Sequence, residues 1–164
     1  MFREMRRGKQ QLTQAEAVEI LKSASSGVLA LAGDDGYPYA LPMSFVYSEG
    51  KLYFHSALTG HKIDAVRRQE KASFCVIAQD QVIPEKYTTA FKSVIAFGRV
   101  RIMEDDAEKR SAAMLIAGKY NPGHPMEAQA EIDGGAERMV ILELSIEHFT
   151  GKEGIELTRQ RKNG

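Results

Sequence analysis

The sequence contains a single cysteine, Cys75, in 164 residues. One cysteine cannot form a disulfide within the chain, so a reducing compartment is expected and the cytoplasm is the default location. Cys75 lies inside an apolar strand pattern, which predicts that its thiol packs rather than reacts. No apolar run is long enough to span a bilayer, and none follows the charged N-terminus. We therefore expect neither a membrane span nor a signal peptide.

The formal net charge is zero, because 22 Lys and Arg balance 22 Asp and Glu. This balance argues against a general nucleic-acid binder or a polybasic membrane protein, although a local basic patch is still allowed. The length and the 43% hydrophobic content fit one globular domain over residues 1–164. Residues 1–11 form a polar, basic arm that is either flexible or packed on a partner subunit. The polar, basic end at 154–164 is expected to fray.

Several catalytic signatures are missing. No two of the four histidines have H-x-x-x-H spacing and Cys75 stands alone, so no metal site is expected. The chain has no G-x-S-x-G elbow, no Walker loop and no G-x-G-x-x-G sequence. The carboxylate pairs Asp34-Asp35 and Asp105-Asp106 fall at turn and helix-cap positions, where a structural role is the better interpretation.

Short strand patterns dominate what is present. Asp34-Asp35-Gly36 predicts a hairpin. Pro38 and Pro42 indicate an edge strand, a bulge or a strand start, because proline has no N–H for a sheet ladder. Gly98 suggests a bulge in a later strand. With about six strands and two or three helices, hairpins outnumber β-α-β crossovers. The sequence therefore predicts an α+β fold, mainly β, built on an antiparallel sheet or barrel.

The helical patterns are fewer. Thr13 and Glu16 have the spacing of a capping box at the start of a first helix. Asp105 or Asp106 caps a later helix. From Asn121 to Glu137 the chain is rich in Gly, Pro, Ala and acids, which predicts a long loop with at most one short helix, and such loops are often functional or mobile. The last strand is expected over Met139–Phe149.

The stretch from Leu52 to Lys62 carries the strongest functional signal. A strand ends at Ser56, and a helix begins near Gly60, where Thr59 can serve as its cap. The free N–H groups and positive dipole end of a helix start favour a phosphate, and Lys62 adds a full charge. A capped surface helix with solvated His and Lys explains the same residues, and the stretch alone does not choose between the two interpretations. His55 ends the strand, where a lone histidine is more often structural than catalytic.

The string Tyr53-Phe54-His55-Ser56-Ala57, followed by Gly60-His61-Lys62-Ile63-Asp64, resembles the pyridoxamine 5′-phosphate oxidase-like flavoproteins. Within them it is most similar to the nitroimidazole-resistance (Nim-type) branch. The resemblance covers nearly the whole chain in the same order. Further matching pieces are Phe2-Arg3-Glu4-Met5-Arg6-Arg7, Gly36-Tyr37-Pro38-Tyr39 with Pro42, Phe74-Cys75-Val76, Lys92-Ser93-Val94 with Phe97-Gly98, and Gly151-Lys152.

This resemblance implies a six-stranded antiparallel split β-barrel with flanking helices, and a homodimer with a flavin at the dimer interface. FMN is the usual ligand, and FAD is possible. Three groups of residues would contact the flavin: Ser56, Gly60, His61 and Lys62 at its phosphate, Pro42, Met43, Ser44 and Phe45 along the isoalloxazine, and Lys92 and Ser93 from a neighbouring strand. His55 corresponds to the position beside the flavin and the substrate, and is the candidate catalytic residue.

One departure from the family separates two hypotheses about activity. Pyridoxamine 5′-phosphate oxidases carry a C-terminal signature with tryptophan, arginine and histidine, whereas this chain has no tryptophan and reads Glu147-His148-Phe149-Thr150-Gly151-Lys152. Pyridoxal phosphate synthesis is therefore not expected. The first hypothesis is an FMN-dependent oxidoreductase that reduces small organic molecules such as nitroaromatics. The alternative is a flavin- or heme-binding module without turnover.

Overall fold

The structure is a computed structural model that describes residues 1–163, with side chains described through Arg161. Over this range the chain forms seven strands and five α-helices. The strands are β1 (Ser26–Ala32), β2 (Pro38–Ser44), β3 (Val46–Ser48), β4 (Lys51–Ser56), β5 (Lys71–Ile83), β6 (Thr88–Ile102) and β7 (Val140–Glu153). The helices are α1 (Gln14–Ser23), α2 (His61–Arg68), α3 (Asp106–Tyr120), α4 (Pro125–Gly135) and α5 (Ile155–Asn163). Short 3₁₀ turns occupy Gly8–Gln10, Asp34–Gly36, Pro84–Lys86 and Ala136–Arg138.

All seven strands belong to one antiparallel sheet in the order β2-β1-β5-β6-β7-β4-β3. The two edge strands, β2 and β3, are consecutive in sequence and separated only by Phe45. The sheet must therefore curl until its two edges meet at Phe45, which makes it a barrel that is split between β2 and β3. This is the expected α+β split barrel, with seven strands instead of six because the short β3 is a separate strand.

The barrel interior holds the main hydrophobic core. Phe45, Phe54 and Phe74 are fully buried there, with ring centroids 4.8 and 5.2 Å from Phe74 in edge-to-face arrangements. Helices α1 and α2 contribute apolar faces to the same core. These inward side chains alternate with outward ones along β4 and β5, as a half-buried sheet requires.

A second, smaller cluster lies outside the barrel. It joins Met103, Ala112, Ala113, Ile132 and Ile141, so helices α3 and α4 cover the outer face of the sheet around β7. Because this part of β7 is covered on both faces, all five residues from Val140 to Leu144 are buried. Four of the five are apolar, and the fifth, Glu143, is buried with its carboxylate hydrogen-bonded to Lys51 and Arg101.

Several local predictions are confirmed. The Thr13 hydroxyl accepts from the Glu16 N–H at 3.2 Å, and the Glu16 carboxylate accepts from the Thr13 N–H at 2.7 Å, which completes the capping box. Pro38 and Pro42 lie in the edge strand β2. The β6–β7 register shifts at Gly98, where a side chain would overlap the carbonyl oxygen of Ser145.

Three expectations along the chain differ from the structure. The segment from Asn121 to Glu137, predicted as a long loop with at most one short helix, contains the 11-residue helix α4, so the helix takes up most of it. The end from Gly154 is helix α5 through Asn163, with Thr158 buried against the barrel. Gly164 lies outside the described residues. The last strand is also longer than Met139–Phe149 and runs to Glu153.

The N-terminal arm, residues 1–11, packs on its own chain. The Phe2 ring stacks on His148 with centroids 4.7 Å apart. Gln11 bridges to Lys152, and the N–H of Leu12 donates to the carbonyl of Gly151 at 3.0 Å. The arm therefore follows the end of β7 instead of extending into solvent.

Candidate functional site

The start of α2 has the geometry of an open anion cradle. Gly60 is the N-cap with φ 125° and ψ 171°, a conformation that favours glycine, and no side chain caps the helix. Thr59, the predicted cap, therefore does not cap it. The Asp64 N–H is the first to bond back, to the Gly60 carbonyl at 3.1 Å. The N–H groups of His61, Lys62 and Ile63 precede it and have no intrahelical partner.

Lys62 places a half-buried cation beside these N–H groups. Its Nζ lies 3.4 Å from the sulfur of Met43. Among the side chains described through Arg161, no carboxylate lies within 4.0 Å of that nitrogen. Burial lowers the pKa of the Lys62 ammonium, because the charged form loses hydration without gaining a counter-ion. An anion bound here would supply the missing partner.

The side chain of His61 fixes the helix start to the β1–β2 hairpin. Its ring stacks on Tyr39 with centroids 4.0 Å apart, and its Nε2 lies 3.4 Å from the Asp34 carboxylate. Arg68, at the other end of α2, also bonds Asp34, and this hydrogen bond is the main reason that the pKa of Asp34 is lowered. His61 therefore offers the cradle its backbone N–H, while its ring holds the helix in place.

His55 and Ser56 lie in a separate cavity of about 350 Å³. Strand β4 turns His55 outward and Ser56 inward, so the histidine is exposed and the serine is buried. The facing wall comes from α4 and the turn after it: Glu131, Ile132, Gly135, Arg138 and Met139. Sequence reasoning missed this wall because it predicted a loop there. The only available signal was Pro125, a residue common at the first position of a helix.

Strand β2 divides its candidate residues between two faces. Pro42 and Ser44 are exposed on the outer face, whereas Met43 is buried and reaches Lys62. Phe45 is a correction to the predicted site, because its side chain is fully buried in the core. Its N–H donates to the Tyr120 hydroxyl at 2.8 Å, so its backbone donor is also engaged. Phe45 is a core residue at the seam of the barrel and cannot line a ligand without moving.

Two residues of α3 hold this seam. Lys119 Nζ donates to the carbonyls of Ala24 and Phe45 at 2.6 and 2.8 Å, and lies 4.0 Å from the centroid of the Phe45 ring. The Tyr120 hydroxyl has one proton to donate, and two carbonyl oxygens lie within reach of it, Ser25 at 2.5 Å and Phe45 at 2.9 Å. We call this pair the α3 latch. No sequence signal indicated it, since Lys-Tyr at a helix end is typical of a solvated surface.

Lys92 and Ser93 lie at the opposite end of β7 from His55 and Ser56. In the sheet register Lys92 pairs with Glu153 and Ser93 with Lys152, whereas Ser56 pairs with Val140. These are opposite ends of the 14-residue strand β7, a span on the order of 40 Å if straight. One chain therefore brings Met43 and Lys62 into contact at the start of α2, and it holds Lys92 and Ser93 away from His55 and Ser56.

Two further findings concern membrane-spanning helices and metal sites among the described residues. Residues 1–163 contain no helix long and apolar enough to cross a membrane. The same part of the chain holds no group of three or more His, Cys, Asp or Glu side chains arranged to bind a metal ion.

The sheet and the cradle together define an α+β split-barrel protein with a candidate phosphate site at a strand-to-helix junction. A family model described as pyridoxamine 5′-phosphate oxidase matches residues 13–153. The chain belongs to this family, as the sequence resemblance implied. A comparison with curated protein sequences finds no match.

Solved structures share the fold. A candidate 5-nitroimidazole antibiotic resistance protein from Bacteroides thetaiotaomicron is 21% identical, with a TM-score of 0.74 over 87% of this chain and 86% of that one. An FAD- and heme-binding protein from Mycobacterium smegmatis is 22% identical, with a TM-score of 0.76 over 88% and 73%. An FAD-binding protein from Mesorhizobium loti is 27% identical, with a TM-score of 0.61 over 88% and 96%.

Proposed function

We propose that this protein binds a flavin, FMN in preference to FAD, and acts as an oxidoreductase on small organic molecules such as nitroaromatics. The observation that carries the proposal is Lys62, a half-buried cation without a carboxylate partner among the described side chains, beside an uncapped helix start. A phosphate would satisfy both at once. The flavin-binding proteins among the structural relatives support the same ligand class.

The residues of the cradle fit a flavin phosphate. The position of a Cβ on Gly60 has no heavy atom within 4 Å, so the approach to the N–H groups of α2 is open. Ser56 and the His61 N–H lie on the same strand-to-helix connection as Lys62. A bound flavin would supply the redox chemistry, and the protein would supply binding and orientation. His55 is the group we assign to orient or protonate the substrate, in the cavity between β4 and α4.

A homodimer with the flavin between subunits is part of the proposal. Within one chain Lys92 and Ser93 lie at the opposite end of β7 from His55 and Ser56, so we assign them to the flavin held by a second copy. The outer face of β1, β5 and β6 carries exposed Val28, Ile77 and Ile95, unlike the face covered by α3 and α4. An exposed apolar face of this kind is typical of a subunit interface.

The absorption spectrum of the purified protein tests the cofactor. A flavin spectrum, bleached by NADH or NADPH and restored by a nitroaromatic compound, is the expected result. A flavin spectrum without turnover would replace the oxidoreductase with the non-catalytic binding module. A Soret band without a flavin spectrum would indicate a heme-binding module, a ligand that one structural relative binds beside FAD. A protein that binds neither on reconstitution would contradict the proposal as a whole.

A further inference from the structure

A second cavity lies where the N-terminal arm meets helix α5. Its volume is about 680 Å³, within the usual range for small-ligand sites. The lining consists of arm residues 6–10 and Ile155, the first residue of α5. The bridge between Gln11 and Lys152 fixes the arm on β7 beside it. This cavity is therefore at the opposite end of β7 from His55, near the strand pair of Lys152 and Ser93 and apart from the α2 cradle.

The charge of this cavity is positive. Arg6, Arg7 and Lys9 line it, and none of them lies within 4.0 Å of a carboxylate among the side chains described through Arg161. The acids at the end of β7 and the start of α5 already pair with other cations. Glu153 pairs with Arg161 at 2.9 Å, and Glu156 pairs with Arg159 at 3.3 Å. Three cations thus face the cavity without an internal counter-charge.

Gln10 gives the cavity a second, independent feature. The residue is only 4% exposed, and its Oε1 is buried without a hydrogen-bond partner among the described atoms. A buried amide oxygen left without a donor is costly, so a partner at this position is expected. Gln10 lines the cavity, and a turn of its amide toward the opening would bring the Oε1 within reach of a ligand hydroxyl or amine. Cations alone favour any anion, whereas the amide oxygen requires a donor on the same ligand.

We propose that this cavity binds a phosphorylated ligand that also carries hydroxyl or amine donors, the chemistry of a nucleotide. Arg6, Arg7 and Lys9 would bind the phosphates, Gln10 would accept from the sugar or base, and Ile155 would provide an apolar wall. The start of α5 adds its positive dipole end on the same side. The proposal does not depend on flavin binding, since it involves none of the residues of the α2 cradle.

Calorimetric titration with ADP tests the site. If the native protein binds FMN, it is first saturated with FMN, so that the α2 cradle is occupied. The Lys62→Gln protein is titrated in parallel, because it lacks the lysine that would bind a phosphate at α2. We expect ADP to bind in both, more tightly than inorganic phosphate and more weakly as salt is raised. The Arg6→Gln/Arg7→Gln protein should lose about tenfold or more in ADP affinity. Gln10→Leu should weaken ADP but leave inorganic phosphate unchanged.

The matched control is Arg3→Gln/Lys22→Gln, which removes the same charge outside the cavity and should bind ADP as the native protein does. The Arg6 and Arg7 side chains are exposed, so their replacement should leave folding intact, which thermal melts of the variant would check. The arginine pair therefore tests the site even if Gln10→Leu does not fold. No binding of ADP at millimolar concentration would overturn the proposal. Equal affinity of the native and Arg6→Gln/Arg7→Gln proteins would do the same.

Discussion

At the scale of single residues, Lys62 is the side chain whose environment most clearly indicates a bound ligand. It is half-buried, its pKa is lowered by burial, and its one polar contact is a methionine sulfur. The structure brings Lys62 next to Met43, another residue that the sequence assigned to the site. Both observations lead to a prediction about the phosphate rather than the ring of the flavin.

Lys62→Ala should fold normally and bind FMN about ten- to a hundredfold more weakly, because a charged hydrogen bond contributes roughly 1.5–3 kcal/mol. Riboflavin has no phosphate, so its affinity should change little and the preference for FMN should shrink. Fluorescence titration with both ligands measures this, with Lys22→Ala as the control on an exposed lysine. Unchanged FMN affinity and preference would place the phosphate elsewhere.

His55→Ala should keep the flavin and lose turnover. His55 is exposed toward the cavity walled by α4, so removing its ring takes away a proton donor or an orienting group without touching the core. General acid–base groups contribute about 10²–10⁴ in rate. Steady-state reduction of a nitroaromatic measures the effect, and His124→Ala, at the exposed N-cap of α4, is the control. Full activity of His55→Ala would make His55 structural.

The ionisation of Glu143 makes the free energy of unfolding depend on pH. Its carboxylate is buried between Lys51 and Arg101, at 3.0 and 2.9 Å. Burial alone would raise its pKa, but the hydrogen bonds from Arg101 and Lys51 outweigh it, so the pKa is lowered. A lowered carboxyl pKa stabilises the fold above the unfolded-state pKa, and this contribution is lost as the pH falls through the folded-state pKa.

Glu143→Gln should therefore unfold more easily at pH 7, by about 1–3 kcal/mol. The difference from the native protein should shrink as the pH is lowered from 7 to 3, because the carboxyl of the unfolded chain has the higher pKa and is protonated first, which favours unfolding of the native protein. Urea unfolding at several pH values measures it. Glu49→Gln, a residue in no described ion pair, is the control. A difference that does not vary with pH would mean that Glu143 acts through packing alone.

At the scale of elements, the α3 latch joins a helix to the seam of the barrel. Tyr120→Phe removes the hydroxyl that contacts the N–H and carbonyl of Phe45 and the carbonyl of Ser25. The Phe45 N–H is then left without a partner, which should cost about 1–3 kcal/mol of unfolding free energy. Urea unfolding measures the loss, and Tyr87→Phe, on a fully exposed ring, should change nothing. An equal effect of both variants would contradict the latch.

The elements that sequence predicted are those set by local chemistry. The capping box at Thr13, the hairpin at Asp34–Gly36 and the bulge at Gly98 each need only a few neighbouring residues. The sequence allowed α4 only as one short helix in a loop and missed α5, because their sequences are polar or contain glycine and only packing against the rest of the chain makes them helical. For the same reason the sequence could propose Lys62 for the site but could not show that Phe45 faces the core.

At the scale of the whole molecule, we predict a homodimer, which light scattering of the purified protein measures directly. Ile77→Lys places a charge on the exposed apolar face and should favour the monomer. The same change should weaken flavin binding, because the partner copy would no longer supply Lys92 and Ser93 to the site. Met126→Lys, at an exposed position on α4, should remain a dimer. A native monomer that retains its flavin would contradict the shared site.

The position of β7 in the sheet also determines when this protein can fold. Strand β7 is the last strand in sequence, yet it lies between β6 and β4 and is the link that joins the two parts of the sheet. During synthesis from the N-terminus, the edge of β4 that pairs with β7 has no partner until β7 is made. Lys51, from the first third of the chain, must wait in this way for Ser145. Until then the edges of β4 and β6 are open to other chains. A ribosome that stops before Val140 thus releases an aggregation-prone open sheet rather than a smaller barrel, and even the complete chain should fold slowly for its size.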